Sequence, residues 1–253
     1  MKKKIKILLL ALFLIGSNHL LANGEVKTTD SLITIEPNVS NFNELKIGGP
    51  VDIVITQGQT ESLKLTIPAE VRDRVVAEVS GHVLRIHNKH DNWGQSEKSW
   101  YSDKSYWHKT HARIVAYLTV KELRKITLSG SGTMIFDNGL STDAMKLTLR
   151  GSGSIHGKIT AKSLASKVSG SGKITISGTA DRSNVSVTGS GNFVAADLIT
   201  SNSVVKVSGS GDAKVNASEE MYAAVSGSGG VSYTGAAKKV SSSKSGSGYV
   251  TRF

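Results

Sequence analysis

Four histidines that could hold a metal ion stand at the two ends of one short segment. His87 and His90 are three residues apart, and His108 and His111 repeat that spacing. If the ends of residues 87–112 meet at the base of a loop, four imidazoles converge, and imidazole is a common ligand of Zn²⁺ and Cu²⁺. The spacing suits a tight turn, because on a straight strand the two rings of a pair point to opposite faces. The alternative is a surface loop without a metal.

The same segment contains all three tryptophans of the chain and two of its six tyrosines. Exposed aromatic rings stack on sugar faces and are frequent anchors of recognition surfaces. Lysines between them would add affinity for an acidic glycan. The alternative is that the rings fold back as a cover over the flank of the domain. The candidate ligand-binding residues are Trp93, Trp100, Tyr101, Tyr106 and Trp107.

An export signal precedes the predicted strands that would position residues 87–112. Four lysines lie within residues 1–6, an apolar run covers residues 7–15, and Ala22 offers a small residue for cleavage. This order is typical of a secretory signal peptide, predicted over residues 1–22, and the run is shorter than the roughly 20 residues of a membrane span. No later stretch approaches that length. We therefore expect an exported mature chain without a transmembrane span, in the periplasm or at the cell surface.

The positive charge of the chain does not indicate a nucleic-acid partner. The formal net charge is +11, and residues 1–22 hold four lysines and no acid, which leaves +7 for the mature chain. Lysines and arginines are spread singly along the sequence, without the basic clusters and interleaved aromatics of nucleic-acid-binding proteins. Acidic glycans or lipopolysaccharide phosphates would be suitable anionic partners. The simpler expectation is that the charge keeps the protein soluble.

A tripeptide repeat organises the second half of the sequence. Gly-Ser-Gly occurs seven times, with successive copies 18 to 21 residues apart. A near-constant period close to 20 residues is the signature of a solenoid and not of a flexible Gly/Ser linker. The copies lie at 130–132, 151–153, 170–172, 189–191, 209–211, 227–229 and 246–248.

Apolar and polar residues alternate on both sides of each triplet, as in Val185-Ser186-Val187 and Ile174-Thr175-Ile176. Alternation of period two is typical of strands with one buried face. Stacked repeats would bury that face in a continuous column. The predicted fold is all-β, a parallel β-helix or β-solenoid with repeats of about 19 residues. The alternative is an antiparallel β-sandwich in which Gly-Ser-Gly forms hairpin turns.

Residues 39–86 have the layout of earlier, degenerate coils. Within residues 45–55, two alternating apolar stretches flank a Gly-Gly-Pro bend. We expect a lead-in over residues 23–38, followed by one solenoid domain over residues 39–253 that the segment 87–112 interrupts. Further short strands are predicted at 62–67, 75–79 and 83–86, with a helical turn at 68–74.

The order of these motifs resembles that of a known family. Phe42-x-x-Leu45-x-Ile47-Gly48-Gly49-Pro50-Val51-Asp52-Ile53 is followed by Gly81-x-x-Leu84-x-Ile86 and then by the Gly-Ser-Gly series. From about residue 39 to its end the chain resembles exported bacterial proteins called auto-transporter adhesins with a head GIN domain. The resemblance implies a β-helix-like fold, and it implies neither an activity nor catalytic residues.

Groups that could perform catalysis are not aligned in the sequence. The chain has no cysteine, and His156 is the only histidine of the repeats, so a Ser-His or Cys-His pair is not recognisable. Neither a Gly-x-Ser-x-Gly nucleophile elbow in its strand-to-helix context nor a calcium-binding nonapeptide is present. Five aspartates occupy different positions relative to their triplets. They are Asp137, Asp143, Asp181, Asp197 and Asp212.

We therefore predict a non-enzymatic, exported cell-envelope protein without a cofactor. It would act as a scaffold or an adhesion and binding module for a glycan or another envelope partner. The alternatives are a carbohydrate-active enzyme built on a β-helix and a metal-binding envelope protein that uses the His-rich insertion. Exposed strand edges at the ends of the solenoid would permit self-association, unless cations such as Lys238, Lys239, Lys244 and Arg252 blunt the C-terminal edge.

Overall fold

The computed structural model describes residues 31–89 and 113–253, whose strands form one 17-stranded sheet wound into a solenoid. Besides the strands these residues contain the 3₁₀-helix Ala69–Arg74. None of the helices in the described ranges has the length and apolar content needed to cross a bilayer. The strands are β1 (Leu32–Ile35), β2 (Glu44–Gly48), β3 (Val51–Gln57), β4 (Ser62–Pro68), β5 (Val75–Ser80), β6 (Val83–Asn88), β7 (Ile114–Val120), β8 (Lys125–Gly130), β9 (Thr133–Phe136), β10 (Leu140–Gly151), β11 (Ser154–Gly170), β12 (Lys173–Gly189), β13 (Asn192–Gly209), β14 (Asp212–Gly227), β15 (Gly230–Thr234), β16 (Lys239–Ser245) and β17 (Tyr249–Arg252).

The repeats stack as parallel coils, as the period of the sequence predicts. From β10 to β14 each strand pairs in parallel with the next, and the first glycines of successive triplets face one another. The parallel β-solenoid is therefore confirmed, and the antiparallel sandwich is excluded for the repeats. The aligned glycines are Gly151, Gly170, Gly189, Gly209 and Gly227.

Each Gly-Ser-Gly triplet makes one corner of a coil. Gly170 has a φ of +114°, which residues with a side chain rarely adopt. A Cβ on Gly172 would lie 2.6 Å from the carbonyl oxygen of Gly153 in the coil before it. The amides of Ser171 and Gly172 both donate to the carbonyl of Gly151, at 3.0 and 2.9 Å. The triplet is therefore fixed by backbone conformation at its first position and by close approach at its third.

The core is a set of apolar columns that run along the solenoid axis. Every second residue before the triplet points inward, so that equivalent residues of successive coils stack on one another. Burying each valine side chain contributes about 1.5–3 kcal/mol relative to leaving it exposed. One such buried column consists of Leu149, Val168, Val187, Val207 and Val225.

The N-terminal part differs from the degenerate parallel coils that the sequence predicts. Strands β2 and β3 do form a coil in parallel register with β8 and β9. However, β4 is antiparallel to both β1 and β7, and β5 is antiparallel to β6. The 3₁₀-helix Ala69–Arg74 joins β4 to β5 and buries Val71. These reversals lie at the N-terminal end of the stack, and β1 falls within the predicted lead-in.

The opposite end of the stack presents an edge strand. Among the described strands, β16 pairs with β14 alone, and all seven of its residues are exposed. Its register with β14 places Ser242 opposite Ala223 and Lys244 opposite Val225, so that polar residues continue two of the inward columns. These two apolar columns therefore end at β14, whereas Val250 of β17 still packs against the core.

Candidate functional site

Only one of the four predicted metal-binding histidines lies in the described part of the chain. His87 is half-buried near the end of β6, and its Nδ1 lies 2.7 Å from the carbonyl oxygen of Asn88. His90, His108 and His111 lie outside the described residues. Among residues 31–89 and 113–253 there is no group of three or more metal-ligating side chains. The four-histidine site stays a prediction.

The flanks of the insertion show where on the solenoid it is attached. In β6, Ile86 pairs with Ile47, and in β7, Ile114 pairs with Val51. The two flanking strands thus pair with the strands on either side of the Gly49 bend.

The five candidate aromatic ligands all lie beyond these flanks. Trp93, Trp100, Tyr101, Tyr106 and Trp107 fall within residues 90–112, outside the described part of the chain. The glycan-binding hypothesis for them stays a prediction. The strands that flank these residues in the sequence, β6 and β7, lie beside the Gly49 bend, at the border of the basic surface that is described next.

The described structure gathers single cations of the sequence on one outer surface. The strands that lead into the corners (β6, β2, β8 and the later segments of β10 to β14) point alternate residues outward, and many of these are lysine or arginine. Read along the chain these cations are spread singly, and their common direction appears only when positions are counted from the triplets. We define the basic face as six of these residues: Lys46, Lys146, Arg150, Lys167, Arg182 and Lys206.

The register sets the spacing of these cations along the solenoid axis. Lys167 pairs with Ser186, which pairs with Lys206, so the two lysines are two strands apart in one outward column. Neighbouring strands are about 4.8 Å apart, which places their Cα atoms about 10 Å from each other. Lys46 stands in the coil of β2, three strands before Lys167 through Thr127 and Thr148. Lys46, Lys167 and Lys206 therefore form a row along the axis, and Lys146, Arg150 and Arg182 stand in neighbouring outward columns.

The acidic residues on the same side are mostly committed to other partners. Glu44 forms an ion pair with Lys125 at 2.9 Å, and Glu220 forms one with Lys239 at 3.7 Å. In the antiparallel register, Glu78 of β5 lies opposite Arg85. In contrast, none of the six residues of the basic face forms an ion pair with another described residue. The basic face thus keeps a net positive charge.

A shallow groove of about 450 Å³ lies within the basic face. Its outer lining includes the small residues Ala144, Ser163 and Ala165, and two residues of the basic face, Lys146 and Arg182, also line it. Locating this groove needs the coordinates, because its walls come from four coils.

One ion pair beside the groove holds a further cation in place. Arg124, which also lines the groove, donates to Glu122 at 2.9 Å. This hydrogen bond lowers the pKa of the Glu122 carboxyl and raises the pKa of the guanidinium. The charge of Arg124 is therefore already balanced, unlike the charges of the basic face.

The aspartates of the repeats do not form a catalytic cluster in the described structure. Asp143 pairs with Lys162 at 2.9 Å, and this hydrogen bond lowers the pKa of the Asp143 carboxyl. Asp212 accepts a hydrogen bond from the Tyr249 hydroxyl at 3.2 Å. Within the described ranges these carboxylates join no group of three or more acidic or histidine side chains.

Comparison with protein families identifies the relatives of the chain. A family model described as "Putative auto-transporter adhesin, head GIN domain" matches residues 41–237. The chain belongs to this family. A comparison of this adhesin-family chain with curated protein sequences finds no match.

Solved structures of similar shape show that the adhesin-family fold is shared. A "putative adhesin" of Bacteroides fragilis is 24% identical with a TM-score of 0.75, and the match covers 89% of this chain and 98% of that one. A "putative lipid binding protein" of Parabacteroides distasonis is also 24% identical, with a TM-score of 0.69 and coverage of 89% and 98%. A "putative adhesin" of Parabacteroides merdae is 18% identical, with a TM-score of 0.60 and coverage of 89% and 97%. At these identities the likeness concerns the fold alone.

Proposed function

We propose that this chain is a non-enzymatic, adhesion-type binding module of the cell envelope whose basic face binds an anionic polysaccharide. The observation that carries the proposal is the basic face, six cations on one surface without ion pairs to described residues. Membership of an adhesin family supports a binding role. The signal peptide that the sequence predicts over residues 1–22 supports export, which would bring the module to envelope and surface polymers.

A linear polymer suits this surface because both are periodic in one direction. The coils repeat about every 4.8 Å, and Lys46, Lys167 and Lys206 stand at multiples of that repeat in one outward column. A polyanion lying along this column meets these three cations in turn, with the other cations of the basic face beside it. Each exposed contact is weak, worth up to about 1 kcal/mol, so that affinity comes from the sum of contacts.

The rigid backbone of the coils supports such a role. Parallel register between β11, β12 and β13 fixes the spacing of Lys167 and Lys206 before any ligand arrives. Preorganised charge avoids part of the ordering cost of binding. The aromatic residues of the insertion, which follow β6 in the sequence, would add sugar contacts to those of the cations.

The test compares the purified protein on dextran sulfate and on uncharged dextran. We expect binding to dextran sulfate that weakens as salt rises, and no binding to dextran, because exposed charges are screened. Reversing Lys167 and Lys206 (K167E/K206E) should weaken binding at least tenfold. The matched control is K64E/K173E, which makes the same change in net charge at exposed positions on the other side of the triplet corner.

Two results would overturn the proposal. Equal weakening by K167E/K206E and by K64E/K173E would show that net charge alone governs binding. Equal retention on dextran and dextran sulfate would show that charge is not what the surface recognises.

A further inference from the structure

The groove of the basic face has a long, narrow shape. Its lining runs across four neighbouring coils, from Met145 on β10 and Leu164 on β11 to Ser183 on β12 and Val204 on β13. At about 4.8 Å per strand this is about 14 Å along the axis. Along the strands the lining covers only three positions, for example Ser163 to Ala165 on β11. Such a groove is suited to a linear chain.

The groove exists because the strand in its middle has small outward residues. On β11 these are Ser163 and Ala165, and each stands in an outward column that carries a cation on an adjacent strand. Ala165 pairs with Lys146 on β10, and Ser163 pairs with Arg182 on β12. The two cations therefore stand on opposite sides of the depression, on strands about 10 Å apart.

The lining combines apolar surface with two cations that form no ion pair with another described residue, Lys146 and Arg182. Ala144, Ala165 and Val204 point outward and supply apolar contacts, as in most small-molecule sites. Met145, Leu164 and Ser183 belong to an inward column that lies buried beneath the groove.

We propose that this groove binds one acyl chain that carries an anionic carboxylate head. The chain would lie along the axis on the outward surface of Ala144, Ala165 and Val204, and Lys146 and Arg182 would hold the head through charge-assisted hydrogen bonds. The inference goes beyond the proposed function, because a polysaccharide needs the cations of the row and does not need an apolar groove. Lys167 and Lys206 do not line the groove, so the two sites can be tested separately.

The probe is sodium dodecanoate below its micelle concentration, titrated into the full chain by isothermal calorimetry, with neutral 1-dodecanol as the comparison. We expect dodecanoate to bind at least tenfold more tightly than dodecanol, since only the carboxylate meets both cations. In the variant K146Q/R182Q the two ligands should bind equally. Ala165→Trp should fill the groove and weaken dodecanoate binding at least tenfold.

Matched variants distinguish binding in the groove from a general effect of adding a tryptophan, and from binding at the polysaccharide surface. Ala236→Trp adds the same side chain at an exposed position outside the groove, and binding should change less than twofold. Ala165→Trp should keep its binding to dextran sulfate, while K167E/K206E should keep its binding to dodecanoate. The inference is wrong if the unmodified chain does not bind dodecanoate, if Ala165→Trp binds it as well as Ala236→Trp does, or if dodecanol binds equally well.

Discussion

Replacing Gly172 by alanine tests why the third residue of the triplet is glycine. A Cβ at this position would lie 2.6 Å from the carbonyl oxygen of Gly153 and 2.7 Å from Cδ2 of Leu149. The φ of Gly172 is not in the left-handed region, so alanine can adopt its backbone conformation and only the overlap opposes it. The oxygen cannot move away freely, because it accepts a hydrogen bond from the amide of Lys173 at 3.1 Å.

The expected loss of stability combines two costs. Forcing a methyl group into a close-packed contact costs about 1–3 kcal/mol. Displacing the Gly153 carbonyl weakens its hydrogen bond with Lys173, which adds about 0.5–1.5 kcal/mol. We therefore expect Gly172→Ala to lower the free energy of unfolding by about 2–4 kcal/mol. Gly170→Ala should cost at least as much, because its Cβ would meet Gly151 at 2.6 Å and its φ of +114° disfavours alanine.

Urea unfolding followed by circular dichroism measures the effect. The matched control is Ser171→Ala, which changes the exposed middle residue of the same triplet and should stay within about 0.5 kcal/mol of the parent. The slope of each transition shows whether the whole stack unfolds, since repeat proteins can lose single coils. If Gly172→Ala unfolds at the same urea concentration as Ser171→Ala, close stacking at the third glycine is not what selects it.

Three further predictions concern a core column, the edge strand and the ion pair of Asp143 with Lys162. Ser166→Ala should stabilise the chain by about 1 kcal/mol in the same urea assay, because the buried Oγ has no partner in the described structure; a loss of stability would show that the hydroxyl is satisfied. Lys244→Val should make the chain self-associate with rising concentration in light scattering, and an unchanged mass would refute a blocking role. Lys162→Met should raise the pKa of Asp143 towards its ordinary value, measured by NMR titration. Because the pKa of Asp143 is lowered in the folded chain, the ion pair stabilises the fold at pH values above the ordinary pKa of an aspartate. This stabilisation is lost as the pH falls through the lowered pKa. An unchanged pKa in Lys162→Met would contradict the pairing.

The period and the alternation of the sequence were sufficient to predict the coils. Equal spacing of the triplets gives parallel register, and alternation gives the inward columns, as the stacked Val168 and Val187 show. The antiparallel strands at the N-terminal end were not predictable in this way. A strand such as β4 has the same alternation whether its neighbour runs parallel or antiparallel, so alternation alone does not set its direction.

The basic face could have been recognised from positions relative to the triplets. Lys146, Arg150, Lys167, Arg182 and Lys206 stand five, one, three, seven and three residues before the first glycine of their triplets. All of these distances are odd, and odd positions point outward when even positions form the core. Reading the charges along the chain hides this common direction. The groove depends on the small residues between two cations, and only the register of three coils brings those residues together.

Counting residues back from the triplet glycine gives Lys244 a different orientation from the lysines of the basic face. It stands two residues before its glycine, an even position that Val168 and Val187 occupy in their coils. An inward-pointing charge on an edge strand opposes pairing with a further strand, because pairing would bury the charge without a partner. Lysines at odd positions leave the core unchanged, whereas a lysine at an even position ends the apolar column. One rule of alternation thus separates the cations of the basic face, which we propose to bind a partner, from Lys244, which we expect to keep a second molecule off the edge.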